Sequence, residues 1–523
     1  RYRSPCEVAY NAAGNWLATT DREQGVLYFI NAAAPTPFVA HSVVLHGEPC
    51  GLTWTPDNRV FVAEYGANTI AEIEFVSGIP QVVRRIPVEG MPFAIKAAPA
   101  IGKLVVSEYG LGRVYIIDIE TGSIDHTIPL PSNGSFLEVN HAQSLAVVGN
   151  LVPGSQSAFE LINAAKITLI DLLTGNIINE VSLPEGSSSV RDIEISSDDN
   201  WAYVAHTYGS VAMPTNKLDN GWVSTNAISI IDLRAQSKYA TLLLDKSLEG
   251  WANPWGIALS PDNETLWVTS DGTHRLGKLQ LARLHKHLDG SIRNTAGYSP
   301  NANGLSDVWE DIWAGRITLD ELDHHFSALH GRNLFASIDL PAKGPRGVDV
   351  SPIDNTVAVA SYFTGKVLLV NPDNGRTRHI VDLGPIPEQD DVRRGQIHFA
   401  DAMLSRQFWI ACTTCHPEAR TDGLNWDLGN DGLGTYKNTK SLVGAEYTAP
   451  TTWTGIRLDA TQSIAAGFVH IHFTDQPESV SKETQAYLAW LRPEPSPHLI
   501  YGELSEKAIR GKQLFQQQGC VNC

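Results

Sequence analysis

The sequence predicts a mainly β protein, a seven-bladed β-propeller that is followed by an α-helical domain. Two observations predict this fold class. Residues 1–388 repeat a β-rich unit of roughly forty residues seven times. Beyond residue 389 the repeat ends and helical spacing begins, first at residues 390–399. A chain of 523 residues is long enough for two or three domains of this kind.

Each repeat opens with a short strand of the form P-x-x-I or an equivalent. A turn such as S-P-D-N leads to an apolar second strand, and a third strand ends on I-D or V-N. The seven openings lie at residues 5–8, 49–52, 92–95, 136–139, 190–193, 254–257 and 345–348. Short β runs of even spacing between Gly, Asn, Asp and Pro turns are typical of a propeller. This part resembles seven-bladed propellers of the YVTN type, which implies a fold and leaves function open.

Three segments interrupt the repeat, and we place each between the second and third strands of its blade. They span residues 151–165, 207–226 and 272–333, and the last contains two amphipathic stretches, 279–288 and 319–329, that predict helices. Equivalent loops of a propeller emerge on one face. We therefore expect all three insertions to crowd one face, with a site or a partner domain there.

Cys412-Thr-Thr-Cys415-His416 is the attachment signature of a c-type haem. Each thiol adds to one haem vinyl group, and the adjacent imidazole then lies beneath the iron as its proximal ligand. A zinc site would need a second ligand pair, and none follows closely. A thioredoxin-like dithiol would follow a strand in a βαβ unit, which is not the setting here. The sequence therefore predicts covalent haem at Cys412 and Cys415, with His416 bound to the iron.

The last residues repeat this pattern. Gly-Lys-Gln-Leu-Phe at 511–515 leads into Cys520-Val-Asn-Cys523, the same motif cut one residue before its histidine. We expect a second haem at Cys520 and Cys523, and a natural polypeptide that continues. The predicted division is a cytochrome c-type haem domain at 389–500 and the start of a second, truncated cytochrome c domain at 501–523.

Residues 395–492 resemble the diheme cytochrome c peroxidase family, which includes the diheme enzyme that matures a tryptophan-derived quinone. Besides the haem motif, the resemblance rests on Arg394-Gly395, Phe-Ala-Asp-Ala-Met-Leu-Ser at 399–405, Thr-Asp-Gly at 421–423, Asn438-Thr439, and Ala449-Pro450 before Trp453. Lys440 stands where the family has proline, and Trp-Thr-Gly-Ile at 453–456 replaces W-D-G-R. The resemblance implies haem c cofactors and peroxidase-like redox chemistry.

The haem iron needs a sixth ligand or an open position. The order of motifs in the related cytochromes favours His470 as the ligand, with His472 and Met403 as alternatives. We interpret residues 467–473 as an extended strand, on which the two histidines point to opposite faces, so only one reaches the iron. Two histidine ligands would give a closed haem suited to electron transfer, whereas an open distal side would permit peroxide chemistry.

Trp426 follows the haem motif by ten residues. The resemblance implies an electron relay between haems, and packing against the porphyrin is the other interpretation. The same resemblance suggests calcium between the haem domains. Asp427, Asn430 and Asp431 are candidate ligands for it, although they lack the regular twelve-residue loop.

Cys6 and Cys50 remain after four cysteines are given to haem. They occupy the same repeat position on the innermost strands of neighbouring blades. In an oxidising compartment they can form a disulfide if their Cα atoms lie within about 7 Å. The other interpretation is two small buried side chains.

The residue after the second strand of each repeat is expected to face the channel mouth. Candidate groups there are Glu64, Tyr65, Glu108, Tyr109, His206 and Asp271. Arg191 and Arg346 lie near enough in the repeat to compensate the acidic charges. One interpretation is a ligand pocket that faces the haem domain, with His206 open to solvent or ligand, and the other is a hydrated channel without activity. Copper would need many histidines, and only His206 and His274 qualify, so the sequence does not favour copper.

Composition narrows the function classes. The net charge of −18 argues against nucleic-acid binding. The sequence contains no run of eighteen apolar residues, so it predicts no membrane-spanning helix. The chain begins at Arg1 without a signal peptide, so we expect that an export signal has been removed. Because haem is joined to such cysteines outside the cytoplasm, we expect a periplasmic location.

These observations predict a periplasmic c-type haem oxidoreductase of the diheme peroxidase-like kind. Its haems would move electrons while the propeller binds a small-molecule or protein substrate, or a partner. The expected electron partner is a small redox protein or a quinone-linked carrier. Two alternatives stay open: a non-catalytic electron-transfer protein with a propeller docking platform, and a propeller metalloenzyme that uses the haem as an electron outlet. The spin state of the haem iron distinguishes the oxidoreductase from the electron-transfer protein, and metal analysis tests the metalloenzyme.

Overall fold

The computed structural model describes residues 1–154, 162–211, 213, 215–293, 307–429, 436–494, 496–500 and 502–522. Within these residues, seven four-stranded antiparallel sheets follow one another along the chain. The first strand of each sheet contacts the first strand of the next, and that of the seventh sheet returns to that of the first. The ring of blades is therefore closed, and the prediction of a seven-bladed β-propeller is confirmed.

The blades take their strands in simple chain order, from the channel outwards. Blades 1 to 4 comprise β1 (Pro5–Tyr10), β2 (Trp16–Asp21), β3 (Val26–Asn31), β4 (Phe38–Val44), β5 (Pro49–Trp54), β6 (Val60–Glu64), β7 (Thr69–Val76), β8 (Ile79–Pro87), β9 (Pro92–Ala98), β10 (Lys103–Glu108), β11 (Arg113–Asp118), β12 (Ile124–Pro129), β13 (Gly134–Val139), β14 (Leu145–Asn150), β15 (Lys166–Asp171) and β16 (Ile177–Ser182). Blades 5 to 7 comprise β17 (Ser187–Ile195), β18 (Trp201–Gly209), β19 (Ser224–Asp232), β20 (Ser237–Leu243), β21 (Pro254–Leu259), β22 (Thr265–Ser270), β23 (Arg275–Gln280), β24 (Phe335–Asp339), β25 (Pro345–Val350), β26 (Val357–Ser361), β27 (Lys366–Val370) and β28 (Thr377–Asp382).

The P-x-x-I motif has a structural reason. In blade 6 the pairing register shifts between Pro254 and Ile257, which marks a β-bulge in the innermost strand. Gly256 within this bulge lies so close to blade 7 that a Cβ there would be 2.5 Å from the carbonyl oxygen of Arg346. Proline begins the strand where no ladder hydrogen bond is needed, and glycine lets neighbouring innermost strands approach each other around the channel.

Apolar side chains pack between adjacent blades, and the same packing closes the ring. Leu17 and Ile30 of blade 1 share a core with Ala358, Val367 and Leu369 of blade 7. All five are buried. Burial of a side chain of the Leu or Ile kind contributes about 1.5–3 kcal/mol, so this interface holds together blades that share no strand.

The insertions differ in one respect from the expectation. The 151–165 and 207–226 segments do join second and third strands, and the second of them also lengthens β18 and β19. The third strand of blade 6, however, is β23, which lies inside the predicted 272–333 segment. The insertion therefore joins the third and fourth strands, and the expectation that all three insertions leave at the same point is wrong. Its helices are α1 (Leu281–Leu288), α2 (Val308–Trp313) and α3 (Ser327–His330), with a 3-10 turn at Leu319–His324 that packs against β20.

A helical region follows the propeller. It contains α4 (Asp391–Ala400), α5 (Cys412–Cys415), α6 (Ala460–His470), α7 (Glu478–Trp490) and α8 (Glu506–Gln517), with the short strands β29 (Asn425–Trp426) and β30 (Lys437–Asn438). Asp390 and Asp459 cap α4 and α6 by accepting hydrogen bonds from Arg393 N at 2.8 Å and Gln462 N at 2.9 Å. No helix among the described residues is long and apolar enough to cross a membrane.

Arg393 of α4 connects the helical region to the first and the last blade of the propeller. Its guanidinium donates to Glu23 at 2.7 Å and Ser4 at 3.1 Å in blade 1, and to the carbonyl oxygen of Tyr362 at 3.1 Å in blade 7. The side chain is only 1% exposed. A buried guanidinium with several partners fixes the orientation of what it joins, so α4 clamps the interface between the first and last blades.

Candidate haem site

A cavity of about 360 Å³ lies in the helical region. Cys412, Cys415 and His416 line one part of it, and His472 lines another. Its other lining side chains are largely apolar and include Phe399, Ile464, Phe468 and Leu488. Small-molecule and cofactor sites commonly enclose about 300–1,000 Å³ with mainly apolar walls. The size and lining of this cavity therefore suit a large flat cofactor held by the predicted attachment motif.

The two cysteines lie on the single helical turn α5, where a spacing of three residues puts both side chains on one face. Burial raises the pKa of the Cys412 thiol to about 12. The propeller holds this turn through Asn253, which donates to Thr413 Oγ1 at 2.9 Å and accepts from Thr414 Oγ1 at 2.8 Å. The attachment motif is thus fixed directly to blade 6.

His416 has a defined tautomer. Its Nδ1 lies 3.0 Å from the carbonyl oxygen of Arg420 and 2.9 Å from that of Lys440. Because a carbonyl oxygen only accepts hydrogen bonds, Nδ1 carries the proton. Burial also lowers the pKa of the imidazole, so its Nε2 keeps a lone pair. Metal-binding histidines are oriented in this way by a second hydrogen bond, and His416 therefore meets the requirement for an iron ligand.

The structure separates the three candidates for the sixth ligand. Residues 460–470 form α6, so the expected extended strand is wrong. His470, at the end of this helix, is exposed and is not among the residues that line the cavity. Met403 is 41% exposed and also lies away from the cavity lining. His472 lies just beyond α6 and lines the cavity.

The environment of His472 is apolar. Its side chain is buried, and its ring meets that of Phe468 edge to face at 5.1 Å. Burial lowers the pKa of the imidazole to about 4, so it is neutral near pH 7. Its Nδ1 is buried and has no hydrogen-bond partner among the described residues. A neutral histidine on the cavity wall can bind a metal or exchange a proton with a ligand.

Trp426 connects the cavity to the propeller. It lines the cavity, and its Nε1 donates to Asp422 Oδ2 at 2.8 Å. Its ring packs on Gly209 of β18, where a Cβ would lie 2.5 Å from the ring. Of the calcium candidates, Asp427 accepts a hydrogen bond from Gly429 N at 3.3 Å, while Asn430 and Asp431 lie outside the described residues.

The predicted position at the channel mouth is wrong for His206, whose side chain points into its blade. Tyr65, by contrast, lies beneath the Arg22 guanidinium at 5.1 Å, and its ring contacts that of Tyr109 at 6.2 Å. His206 is fully buried, with Nε2 at 2.8 Å from Ser229 Oγ and Nδ1 at 2.9 Å from the carbonyl oxygen of Thr207. The reason is that β18 continues to Gly209, so His206 lies in mid-strand and not at a strand end. The interpretation with His206 open to a ligand therefore fails.

The acidic candidates are buried as well. Glu64 is fully buried in blade 2 and accepts hydrogen bonds from Thr69 Oγ1 at 2.6 Å and Arg85 Nε at 3.0 Å. Glu108 is also fully buried, and burial raises its pKa to about 7. Asp271 accepts a hydrogen bond from Arg346 Nε at 3.0 Å, as expected for this arginine.

A residue not singled out from the sequence lies at the channel mouth instead. Glu418, two residues after His416, reaches into it and pairs with Arg22 at 3.1 Å and Arg191 at 3.3 Å. Burial alone would raise the pKa of this carboxyl, but Arg22, Arg191 and Arg346 outweigh it and hold the pKa at about 2. Glu418 and Ala419 both have left-handed backbones, with φ of 53° and 57°, and no Gly or Asn signals this turn in the sequence.

Cys6 and Cys50 are buried free thiols, and burial raises the pKa of Cys6 to about 11. Cys520 is exposed, and Cys523 lies outside the described residues. Within the described ranges, no group of three or more His, Cys, Asp and Glu side chains is arranged to hold a metal ion.

Comparison with known proteins relates the chain to one enzyme. No protein-family model matches it. Hydrazine synthase subunit beta of Kuenenia stuttgartiensis is 24% identical over 204 residues, which are 39% of this chain and 46% of the relative. Hydrazine synthase subunit gamma of the same organism is 34% identical over 148 residues, which are 25% of this chain and 42% of the relative. The chain thus spans less than half the length of either curated relative.

A solved structure agrees on the fold. A chain of Kuenenia stuttgartiensis hydrazine synthase matches with a TM-score of 0.59 and 20% identity, over 71% of this chain and 96% of that chain. At 20% identity this match shows similarity of fold alone. The chain is therefore a seven-bladed propeller with homologues among hydrazine synthase subunits.

Proposed function

We propose that this chain is a periplasmic c-type haem oxidoreductase that takes part in hydrazine synthesis and unites roles that its relatives divide between two subunits. The match of one chain to both a beta and a gamma subunit supports the second half of this proposal. The observation that carries the first half is the cavity of about 360 Å³ lined by Cys412, Cys415, His416 and His472.

The residues present fit a haem c. Cys412 and Cys415 would hold the macrocycle, and His416 offers Nε2 to the iron because Arg420 and Lys440 hold its other nitrogen. A bound haem c would supply a one-electron redox centre at this site. Phe468 and Leu488 keep water from this centre, and Lys440 lies at the cavity wall, over the ring of Trp453 at 4.2 Å.

The role of His472 distinguishes an electron-transfer protein from an oxidoreductase. As an iron ligand it would close the site, which suits an electron-transfer protein whose propeller is a docking platform. The neutral ring of His472, whose Nδ1 has no hydrogen-bond partner within the described part of the chain, supports the electron-transfer protein as a second candidate. If His472 stays off the iron, it can instead donate or accept a proton at a small ligand in the cavity, as an oxidoreductase requires. Peroxidase-like reactivity belongs to this open form.

The wider setting is part of the proposal. We assign a second haem to Cys520 and Cys523 and the electron supply to a small redox protein or a quinone-linked carrier. Cys520 is exposed in the 3-10 turn Cys520–Asn522 that follows α8, which is compatible with attachment there. The propeller, whose channel mouth is held by Glu418, would then carry the first haem and present it to partners.

The test begins with covalent haem. The chain is expressed with a c-type cytochrome maturation system, and haem content is measured as the pyridine haemochrome. We expect Cys412→Ala to lose the haem held by the Cys412 to His416 motif, while the matched variant Cys50→Ala, at a buried free thiol in blade 2, keeps it. An unchanged haem content in Cys412→Ala would reject the haem assignment.

Spectra and product analysis then separate the two candidate functions. High-spin ferric haem that binds small ligands, together with hydrazine formed by the reduced protein from inorganic nitrogen compounds, supports the oxidoreductase. Haem that is low-spin only and forms no hydrazine would leave the electron-transfer protein.

A further inference from the structure

The channel mouth and the haem motif meet at one carboxylate. Glu418 is 22% exposed, whereas its partners Arg22 and Arg191 are 11% and 6% exposed. Arg22 has a second carboxylate, Glu48, at 3.0 Å, but that side chain is 55% exposed. Arg191 has Glu418 as its only ion-pair partner among the described residues. Glu418 is therefore the less exposed of the two carboxylates that pair with these arginines.

These arginines belong to the propeller and are held rigidly. Arg22 follows β2 in blade 1, and Arg191 lies on β17, the innermost strand of blade 5. The Arg191 guanidinium stacks over the Trp255 ring at 4.1 Å, and Arg346 lies over the same ring at 4.2 Å while pairing with Asp271. The cluster thus spans the channel, and only Glu418 comes from the helical region.

The link to the haem motif is short. Glu418 is two residues from His416, so the carboxylate is tied to the proximal ligand by two peptide units. Buried charges interact strongly because little water screens them. The charge cluster of the propeller channel is therefore linked through a short stretch of backbone to the residue that would hold the iron.

We propose that the propeller sets the reduction potential of this haem through the Glu418–Arg22–Arg191 cluster. This inference rests on the proposed attachment of haem at Cys412, Cys415 and His416. Reduction adds an electron to the iron, so a neighbouring positive charge favours the reduced form and a negative charge opposes it. Loss of the Glu418 charge makes the cluster more positive, whereas loss of Arg191 removes one of its two positive charges and makes it less positive.

The signs of the shifts provide the test. Glu418→Gln, Arg191→Met and the double variant are prepared as the full chain with haem, and the midpoint potential is measured by spectroelectrochemistry. We expect Glu418→Gln to raise the potential, Arg191→Met to lower it, and the double variant to return towards the wild type. A purely structural disturbance would not give opposite signs that cancel. Shifts of the same sign, or no shift, would overturn the inference.

Two further variants keep the test decisive. Glu72→Gln removes a buried carboxylate that pairs with Arg59 at 3.3 Å and Arg84 at 2.7 Å in blade 2, on a third strand away from the channel, and it should leave the potential unchanged. If Glu418→Gln does not fold, Arg22→Met must lower the potential together with Arg191→Met, or the inference fails. Absence of haem from the wild-type protein would instead reject the proposed function, which the haemochrome yield reports separately.

Discussion

His416 donates its Nδ1 hydrogen towards the carbonyl oxygen of Lys440, 2.9 Å away. This contact joins the attachment motif to the segment after β30 and leaves Nε2 of the imidazole for the cavity. We expect His416→Ala to keep covalent haem, because both thiols remain, but to lose the proximal ligand. The optical spectrum should change and should return towards that of the wild type when imidazole is added. A spectrum like that of the wild type in His416→Ala would show that another residue binds the iron.

The positions of His470 and His472 make a second prediction. Only His472 lines the cavity, whereas His470 is exposed at the end of α6. We expect His472→Ala to alter the spin state or the ligand-binding rate of the haem, measured by EPR and stopped-flow absorbance. His470→Ala serves as the control and should leave both unchanged. The reverse result would return the ligand role to His470, as the family resemblance suggested.

His206 predicts a pH dependence of stability. Burial lowers its pKa from 6.5 to about 4, so the unfolded chain binds a proton there at pH values where the folded chain does not. The free energy of unfolding therefore falls as the pH falls from 6.5 to 4, by about 3 kcal/mol for this residue. Urea unfolding at pH 7 and pH 4.5 should show a smaller loss in His206→Gln than in the wild type. Equal losses would mean that folding does not lower the pKa of His206.

The close contact between Gly209 and Trp426 predicts that a larger residue at position 209 would weaken the packing of the helical region on the propeller. A Cβ at this position would lie 2.5 Å from the Trp426 ring. Gly209→Ala should therefore push Trp426 away from blade 5 and destabilise the chain by about 1–3 kcal/mol. Limited proteolysis between the propeller and the helical region would report the loosening. Gly511→Ala is the control, because nothing lies within 4 Å of a Cβ there, and alanine favours its helix.

The repeats of the propeller were predictable because each blade carries its own turn and bulge residues. Pro254, Gly256 and Ile257 specify a bulged innermost strand by themselves, without knowledge of other blades. The error in blade 6 has a local cause: β23 reads Arg-Leu-Gly-Lys-Leu-Gln, which lacks the β-branched residues that mark the other third strands.

The candidate site was predictable only in part. Covalent attachment of haem requires two cysteines and a histidine at a fixed spacing, so the attachment motif is recognisable from the sequence alone. His472 was not distinguishable from His470, because Phe-Val-His-Ile-His-Phe alternates like a strand, whereas the Asp459 cap and the alanines of α6 favour a helix. Glu418 was missed because its significance depends on Arg22 and Arg191, which are hundreds of residues distant in the chain and become neighbours only when the ring closes.

The Arg393 clamp has a consequence for the lifetime of the fold. Blades 1 and 7 share no strand, so side-chain packing and side-chain hydrogen bonds close the ring at that interface. Arg393 holds Ser4 and Glu23 on one side and Tyr362 on the other. Opening of the ring must therefore release α4, and α4 packs against α7, which contributes Thr484 and Leu488 to the cavity. A haem attached in this cavity, as proposed, would pack against α7 only while the cavity is intact, and would therefore oppose this release. Haem attachment and the kinetic persistence of the propeller would then be coupled through one guanidinium.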